Sequence, residues 1–241
     1  CVIPIGILEK HGPHLPLGTD LLDARETVLR AANEEYFVVF PQYYFGQIYE
    51  AKHQPGTIAY SPEVVWDLLQ ETCDELARNG FKKIILVNGH GGNRFFLHYF
   101  VQAQLSEEKD YAVVLFAPEA ESSLDKRISE LRKTKIDGHA GETETSMMMA
   151  HRPDLAKTDL GENESGKNLN RLKTLPYGFT GIWWYARYPN HYAGDGSKAD
   201  KQIGNLIFNH RAAQLVELVK MLKSNNRIIE LQDEFYERVK E

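Results

Sequence analysis

Short apolar stretches alternate with longer amphipathic ones along the first half of the chain. Residues 2–8, 37–40, 83–88 and 111–116 are rich in β-branched or aromatic side chains and end at turn formers, so each predicts a strand. Between them, residues 21–35, 62–80 and 93–107 repeat apolar positions at helical spacing. The middle helix has Ser61 as N-cap, Pro62 in its first turn and Gly80 as its stop. Strands alternating with helices predict a three-layer α/β/α fold around a mostly parallel sheet. Residues 117–135 read as a polar helix. A helix from about 141 to 151 follows, then a loop-rich stretch at 153–190 and helices at 197–225 and 230–240. No repeat, low-complexity tract or linker interrupts the pattern, so residues 1–241 are expected to form one domain.

Composition narrows the classes. A chain of 241 residues that is 42% hydrophobic and 11% aromatic can bury a sizeable core. A formal charge of -6, with no basic block beyond residues 132–135, argues against a nucleic-acid partner. No apolar run approaches the ~20 residues of a membrane-spanning helix, so a soluble, cytoplasmic protein without a membrane partner is expected. Cys1 and Cys73 are too few for a disulfide framework and read as free thiols in a reducing compartment. The chain opens at Cys1 inside an apparent strand, without the apolar core of a signal peptide. A trimmed start is expected, with a mature lipoprotein cysteine as the alternative.

Chemistry-bearing residues collect at the ends of the strands. Residues 9–20 read EKHGPHLPLGTD. Glu9 and His11 are two apart at the end of the first strand, so their side chains share a face if the strand reaches them. Asp20 opens a helix, where a carboxylate can satisfy free amides and turn its other oxygens to a cation. Two hard oxygens with neutral imidazole suit Zn, Mn or Fe(II). The second cluster, VNGHGGN at 87–93, ends a buried strand in a Gly-rich turn at the sheet edge where open α/β folds bind ligands. The third, DGHAGETETS at 137–146, sets His139, Glu142 and Glu144 where a helix begins. Each has a plainer reading: a Glu-x-His pair arises by chance, and first-turn glutamates are ordinary partners of the helix dipole. Convergence of three such clusters at strand ends outweighs it, because a core cannot bury so many polar groups unpaired.

The segment PIGILEKHGPHLPLGTD, the PGT at residues 55–57, VNGHGGN and HAGETETS together resemble the creatininase family of metal-dependent amidohydrolases. The similarity runs from the first strand to the end of the chain, including residues 194–201. It implies a dinuclear centre with two divalent ions (Zn, Mn or Fe) per subunit, hydrolysing a C–N bond of a cyclic amide or formamide. The resemblance carries Glu9 and His90 to one metal, His11 to the other, and Asp20 to the bridge between them. Creatininase itself has a glutamate two residues after the turn histidine as a ligand of the second metal; here that place is Gly92. The chain therefore sits with relatives that pair NGHGGN with HAGE. That makes Glu142 the replacement ligand and, with His139, a catalytic residue, while Glu144 takes a structural or supporting part. His139 matches the family histidine that lines the substrate site, where it hydrogen-bonds substrate or protonates the leaving nitrogen. The surplus charge of two cations over three carboxylates favours hydroxide over water between the metals.

Other residues receive secondary assignments. His14 is expected to pack or to orient a ligand. His53, Trp183 and Trp184 are expected to line the substrate site, with a core position equally open for the tryptophans. Met147, Met148 and Met149 read as core, and His98, His151 and His210 as structural or solvated helix residues. The resemblance implies a small-molecule amide or formamide partner and a homo-oligomer, often a hexamer. Two rival functions stay open: a phosphate- or nucleotide-binding module using residues 89–93 at a helix N-terminus, and a catalytically silent metal-binding relative. The first lacks both standard glycine spacings. An α/β-hydrolase reading fails because no G-x-S-x-G is present.

Overall fold

The computed structural model describes residues 1–118 and 122–241. Three strands, β1 (Val2–Ile5), β2 (Lys83–Asn88) and β3 (Ala112–Leu115), form a parallel sheet in the order β1-β2-β3. The helices are α1 (Thr19–Ala32), α2 (Pro62–Arg78), α3 (Asn93–Ala103), α4 (Ser122–Leu131), α5 (Glu142–His151), α6 (Trp183–Arg187), α7 (Lys201–Ser224) and α8 (Arg227–Lys240). Alternation along the strands sorts the core into two layers. Ile3, Ile5, Ile84 and Leu86 pack with Leu69 and Cys73 of α2 and with Leu97 and Phe100 of α3. Val2, Ile85 and Val87 pack on the opposite face with Val28 and Ala31 of α1 and with Leu215 and Val219 of α7. The result is the expected three-layer α/β/α arrangement. No helix among the described residues is long and apolar enough to cross a membrane.

The first predicted strand stops early, and the reason positions the site. β1 ends at Ile5 instead of continuing to residue 8. A Cβ on Gly6 would lie closer than 3.0 Å to the backbone of Leu21, and one on Gly89 would strike the backbone oxygen of Asp20. The two glycines form a notch at the ends of β1 and β2 into which the first turn of α1 drops. Residues 37–40 do not form a full strand either. Val39 and Tyr43 only bridge Val2 and Ile5, because Pro41 between them has no N–H to give the ladder.

The remaining differences are local. α4 covers the second part of the predicted 117–135 helix; residues 119–121 of that prediction lie outside the described residues. α7 starts at Lys201, after a 3-10 turn at Gly196–Lys198. The stretch read as loop at 153–190 contains a 3-10 turn at Thr158–Leu160 and the short α6. A further 3-10 turn, Tyr49–Ala51, is too short to carry a periodic signal.

Candidate metal centre

Past β1, the Glu9 N–H donates to the Leu17 carbonyl at 3.0 Å, closing residues 9–17 into a loop that carries Glu9 and His11 inward. Both side chains are fully buried. Asp20 enters from the first turn of α1 and His90 from the turn after β2. His139 and Glu144 arrive at the entrance to α5, and His191 comes from the loop after α6. These groups meet beyond the carboxyl ends of β1 and β2, the edge where parallel sheets place their ligands.

Hydrogen bonding fixes which atoms face the centre. The Glu9 carbonyl accepts from His11 Nδ1 at 3.2 Å, so His11 Nε2 is the nitrogen turned toward the centre. That nitrogen lies 3.1 Å from Asp20 Oδ1 and 4.0 Å from both Glu9 Oε1 and Glu144 Oε2. His90 Nδ1 lies 2.8 Å from Glu9 Oε1 and 3.0 Å from Asp20 Oδ2. Despite this proximity, Glu9 Oε1 and Asp20 Oδ2 are buried without a hydrogen-bond partner among the described residues. Buried oxygens and imidazoles arranged this way demand positive charge.

The electrostatics agree. Burial alone would raise the Glu9 carboxyl, yet His90, His139 and His191 together hold it well below its ordinary value. Burial opposes a charge on His11, but Asp20, Glu9 and Glu144 hold its pKa up to about 10. Burial pushes the Glu144 carboxyl up to about 8, with His11 pulling the other way. Burial, joined by His11 and His191, holds His139 well below its usual pKa against the pull of Glu9. The groups fall on two sides that could hold metal: Glu9 and His90 on one, His11 and Glu144 on the other, with Asp20 Oδ1 toward His11 and Asp20 Oδ2 toward His90. Candidate ligand atoms of Glu9, Asp20 and His90 lie within 4.8 Å of one another, as do those of Glu9, His11 and His139.

Four sequence expectations are corrected by this geometry. Glu142, expected as the ligand, is fully buried elsewhere, accepting from Lys133 N at 2.8 and 3.0 Å and from Thr134 N at 2.7 Å. Glu144, expected in a supporting part, stands in the cluster with its Oε2 accepting from Ala140 N at 2.5 Å. Residues two apart on a helix point to opposite sides, so only one of the pair can face the centre. Asp20 does not cap α1: Gly18 holds the N-cap position with no side-chain bond, and the Asp20 carboxylate goes to the histidines. His53 is exposed, with Nε2 2.8 Å from the Pro189 carbonyl and its ring edge-on to Tyr185, and it does not line the cavity described next.

A cavity of about 530 Å³ opens above the cluster. Glu9, Asp20, His90, His139, Glu144 and His191 form its floor, and Phe95, Phe96, Phe179, Trp183 and Trp184 line its walls. Both tryptophans expected at the substrate site are among these wall residues. His191 and Glu50 are among the lining residues that escape the sequence reading. His191 donates Nε2–H to Glu9 Oε2, a partner 182 residues away, and it lies outside the three clusters the sequence picks out. Glu50 reaches the cavity from the 3-10 turn Tyr49–Ala51, held by Gln47 Nε2 at 2.9 Å. His14 touches no ligand candidate through a hydrogen bond; its Nε2 lies 2.8 Å from Thr145 Oγ1, tying the first motif to α5.

Comparison with known proteins places this geometry. The chain is 29% identical over 172 residues to creatinine amidohydrolase of Pseudomonas putida, covering 66% of each chain. It is 33% identical over 165 residues to the mycofactocin precursor peptide peptidase of Mycolicibacterium smegmatis, covering 66% of this chain and 60% of that one. The match thus spans a little under two thirds of these relatives' length. The fold superposes on a solved creatininase with a TM-score of 0.78 at 22% identity, covering 93% of this chain and 90% of the other. Solved creatininases of the same fold include a Zn–Zn form and a Mn form. The sequence model of the creatininase family, described as creatinine amidohydrolase, matches residues 1–219, and the chain belongs to that family.

Proposed function

We propose that residues 1–241 form one metal-dependent amidohydrolase domain that cleaves a C–N bond of a small amide or formamide. The observation that carries this reading is the convergence of Glu9, His11, Asp20, His90 and Glu144 beneath an aromatic-walled cavity. Nitrogen and oxygen donors suit Zn, Mn or Fe(II), and the Zn and Mn forms of solved creatininases support the first two. When bound, two such cations supply a lowered pKa for water and polarise the carbonyl under attack.

The chain's own side chains supply the rest. The Trp184 indole N–H, a donor only, occupies His191 Nδ1 at 2.8 Å. The His191 proton therefore sits on Nε2 and is given to Glu9 Oε2, which leaves Glu9 Oε1 for the His90 side. His139 donates Nε2–H to the Lys10 carbonyl at 2.7 Å and keeps its lone pair on Nδ1. Burial holds this ring neutral at pH 7, so it takes a proton at Nδ1 before handing it to the leaving nitrogen. The general-acid part read from the sequence thus becomes the second half of a base–acid cycle. Trp183, Trp184 and the facing phenylalanines exclude water and stack a flat substrate.

The relative that acts on a precursor peptide supports peptide-derived amides as substrates beside cyclic ones. The nucleotide-binding alternative gains no support: the His90 amide is spent on Asn88 Oδ1 at 3.1 Å, and the Glu50 carboxylate stands over Gly92. Exposed Tyr177, Phe179 and Ile182 favour burial between subunits and so support a homo-oligomer, which sedimentation would count. Elemental analysis should find two metal ions per chain, and a panel of cyclic amides, formamides and small peptides should yield amine, ammonia or formate. Metal-free protein, or metal-replete protein inert on the whole panel, refutes the reading. His139→Ala should lower turnover by about 10²–10⁴-fold with both metals kept. Loss of metal in that variant would move His139 into the ligand set.

A further inference from the structure

Glu50 takes no part in the metal cluster, yet the fold holds it firmly in place. Buried Asn93 accepts from the Gln47 amide at 2.8 Å. Gln47 Oε1 accepts from Tyr49 N at 2.7 Å, and its Nε2 donates to Glu50 Oε2 at 2.9 Å and to the Gly92 carbonyl at 3.3 Å. One carboxylate oxygen is thereby fixed. The other, Oε1, lies 2.6 Å from the point a Cβ on Gly92 would occupy, with His90 Nε2 closer still to that point on the cluster side. Absence of a side chain at Gly92 is what leaves this oxygen accessible to a bound molecule.

The charge pattern around it is one-sided. Among the described residues, no Lys or Arg lines the cavity, and Glu50 is its sole formal charge outside the metal cluster. Arg187 and Arg94 lie over the Trp183 and Phe95 rings, 5.4 and 5.9 Å from the centroids, but neither lines the space. The walls are aromatic, and ring faces attract cations and repel anions. Away from the metal cluster, a phosphate group would find no cationic side chain and would meet the Glu50 carboxylate.

Resting on the proposed amidohydrolase activity, we infer that Glu50 is a specificity-determining residue. It selects flat amides whose far end carries an ammonium, amidinium or similar N–H-rich group. The amide carbonyl then lies toward the metal side and the cationic end toward Glu50 Oε1. Phosphorylated substrates are rejected.

Three amides that differ at one position test this: para-(aminomethyl)benzamide, para-(hydroxymethyl)benzamide and the phosphate ester of the latter. Their binding to the Zn-loaded protein is measured by titration calorimetry. The ammonium compound should bind about fivefold tighter than the neutral one, the size expected of a partly exposed ion pair, and the phosphate ester should bind most weakly. Glu50→Gln should abolish the preference without changing Zn content. The inference is overturned if the phosphate ester binds as well as the ammonium compound, if none of the three binds, or if the preference survives Glu50→Gln. Loss of Zn affinity in Glu50→Gln with the preference intact would instead set the carboxylate behind His90 Nε2. Binding in the expected order with no ammonia released from any compound would sink the hydrolase reading and leave this one standing.

Discussion

Exchanging the two glutamates of the HAGETE segment separates anchoring from ligation. In Glu142→Gln, a buried carboxylate that accepts three hydrogen bonds from the amides of Lys133 and Thr134 becomes a side chain with one acceptor and one NH2 group. The NH2 then faces a backbone donor. Losing one charge-assisted bond and leaving one buried donor unmet should cost about 2–4 kcal/mol of stability. Metal content should not change, because no Glu142 oxygen turns toward the histidines. Glu144→Gln should do the opposite. Burial pushes that carboxyl up to about 8, so the metal-free protein already holds it largely neutral at pH 7, and the amide should cost it about 1 kcal/mol or less. With metal present, occupancy should fall from two ions per chain to one. Urea unfolding of the chelator-treated proteins reads the first effect, and elemental analysis of the dialysed, metal-loaded proteins reads the second. Should Glu142→Gln shed an ion at unchanged stability while Glu144→Gln keeps both, the assignment made from the geometry is wrong.

Trp184→Phe removes the indole donor that fixes the His191 tautomer, and metal affinity measured by chelator competition should drop about tenfold or more. An unchanged affinity would show that His191 needs no such support. His14 is buried, and burial lowers its pKa from 6.5 to about 4, so protonation favours the unfolded chain. Its contribution is complete above pH 6.5 and declines by up to about 3 kcal/mol as the pH falls to 4. His14→Gln should flatten that part of the stability–pH curve relative to wild type; parallel curves would refute the assignment. Gly89→Ala drives a methyl group into the Asp20 carbonyl and should cost about 1–3 kcal/mol together with metal occupancy. A stable, fully metallated variant would show that the notch does not seat α1.

The two-faced alternation of β1 and β2 and the helical spacing around them were legible in the sequence, because both express one burial pattern. Glu9, His11, Asp20 and His90 were legible as well, since each stands at a strand end or helix start within a short motif. The choice between Glu142 and Glu144 was not. It depends on the angle at which α5 enters, set by a left-handed residue at Ala140 and by anchoring to Lys133 and Thr134, none of which a motif records. His191 and Glu50 were hidden for a different reason. The partner of His191 is distant in sequence, and Glu50 itself lies on a 3-10 turn of three residues, where no periodicity exists. The early end of β1 is likewise a property of two glycines meeting a helix, and neither glycine alone announces it.

The notch at Gly6 and Gly89 divides labour within the molecule. Metal ions would be gripped by groups just past the ends of β1 and β2, in the first turn of α1 and at the start of α5, all packed against the core. What a substrate touches belongs to separate pieces, around Gln47 to Glu50 and Phe179 to Trp184, that hang outside that frame. Mutation can therefore remodel recognition without disturbing the reactive machinery. Such a scaffold accounts for relatives as different in name as a creatinine amidohydrolase and a mycofactocin precursor peptide peptidase.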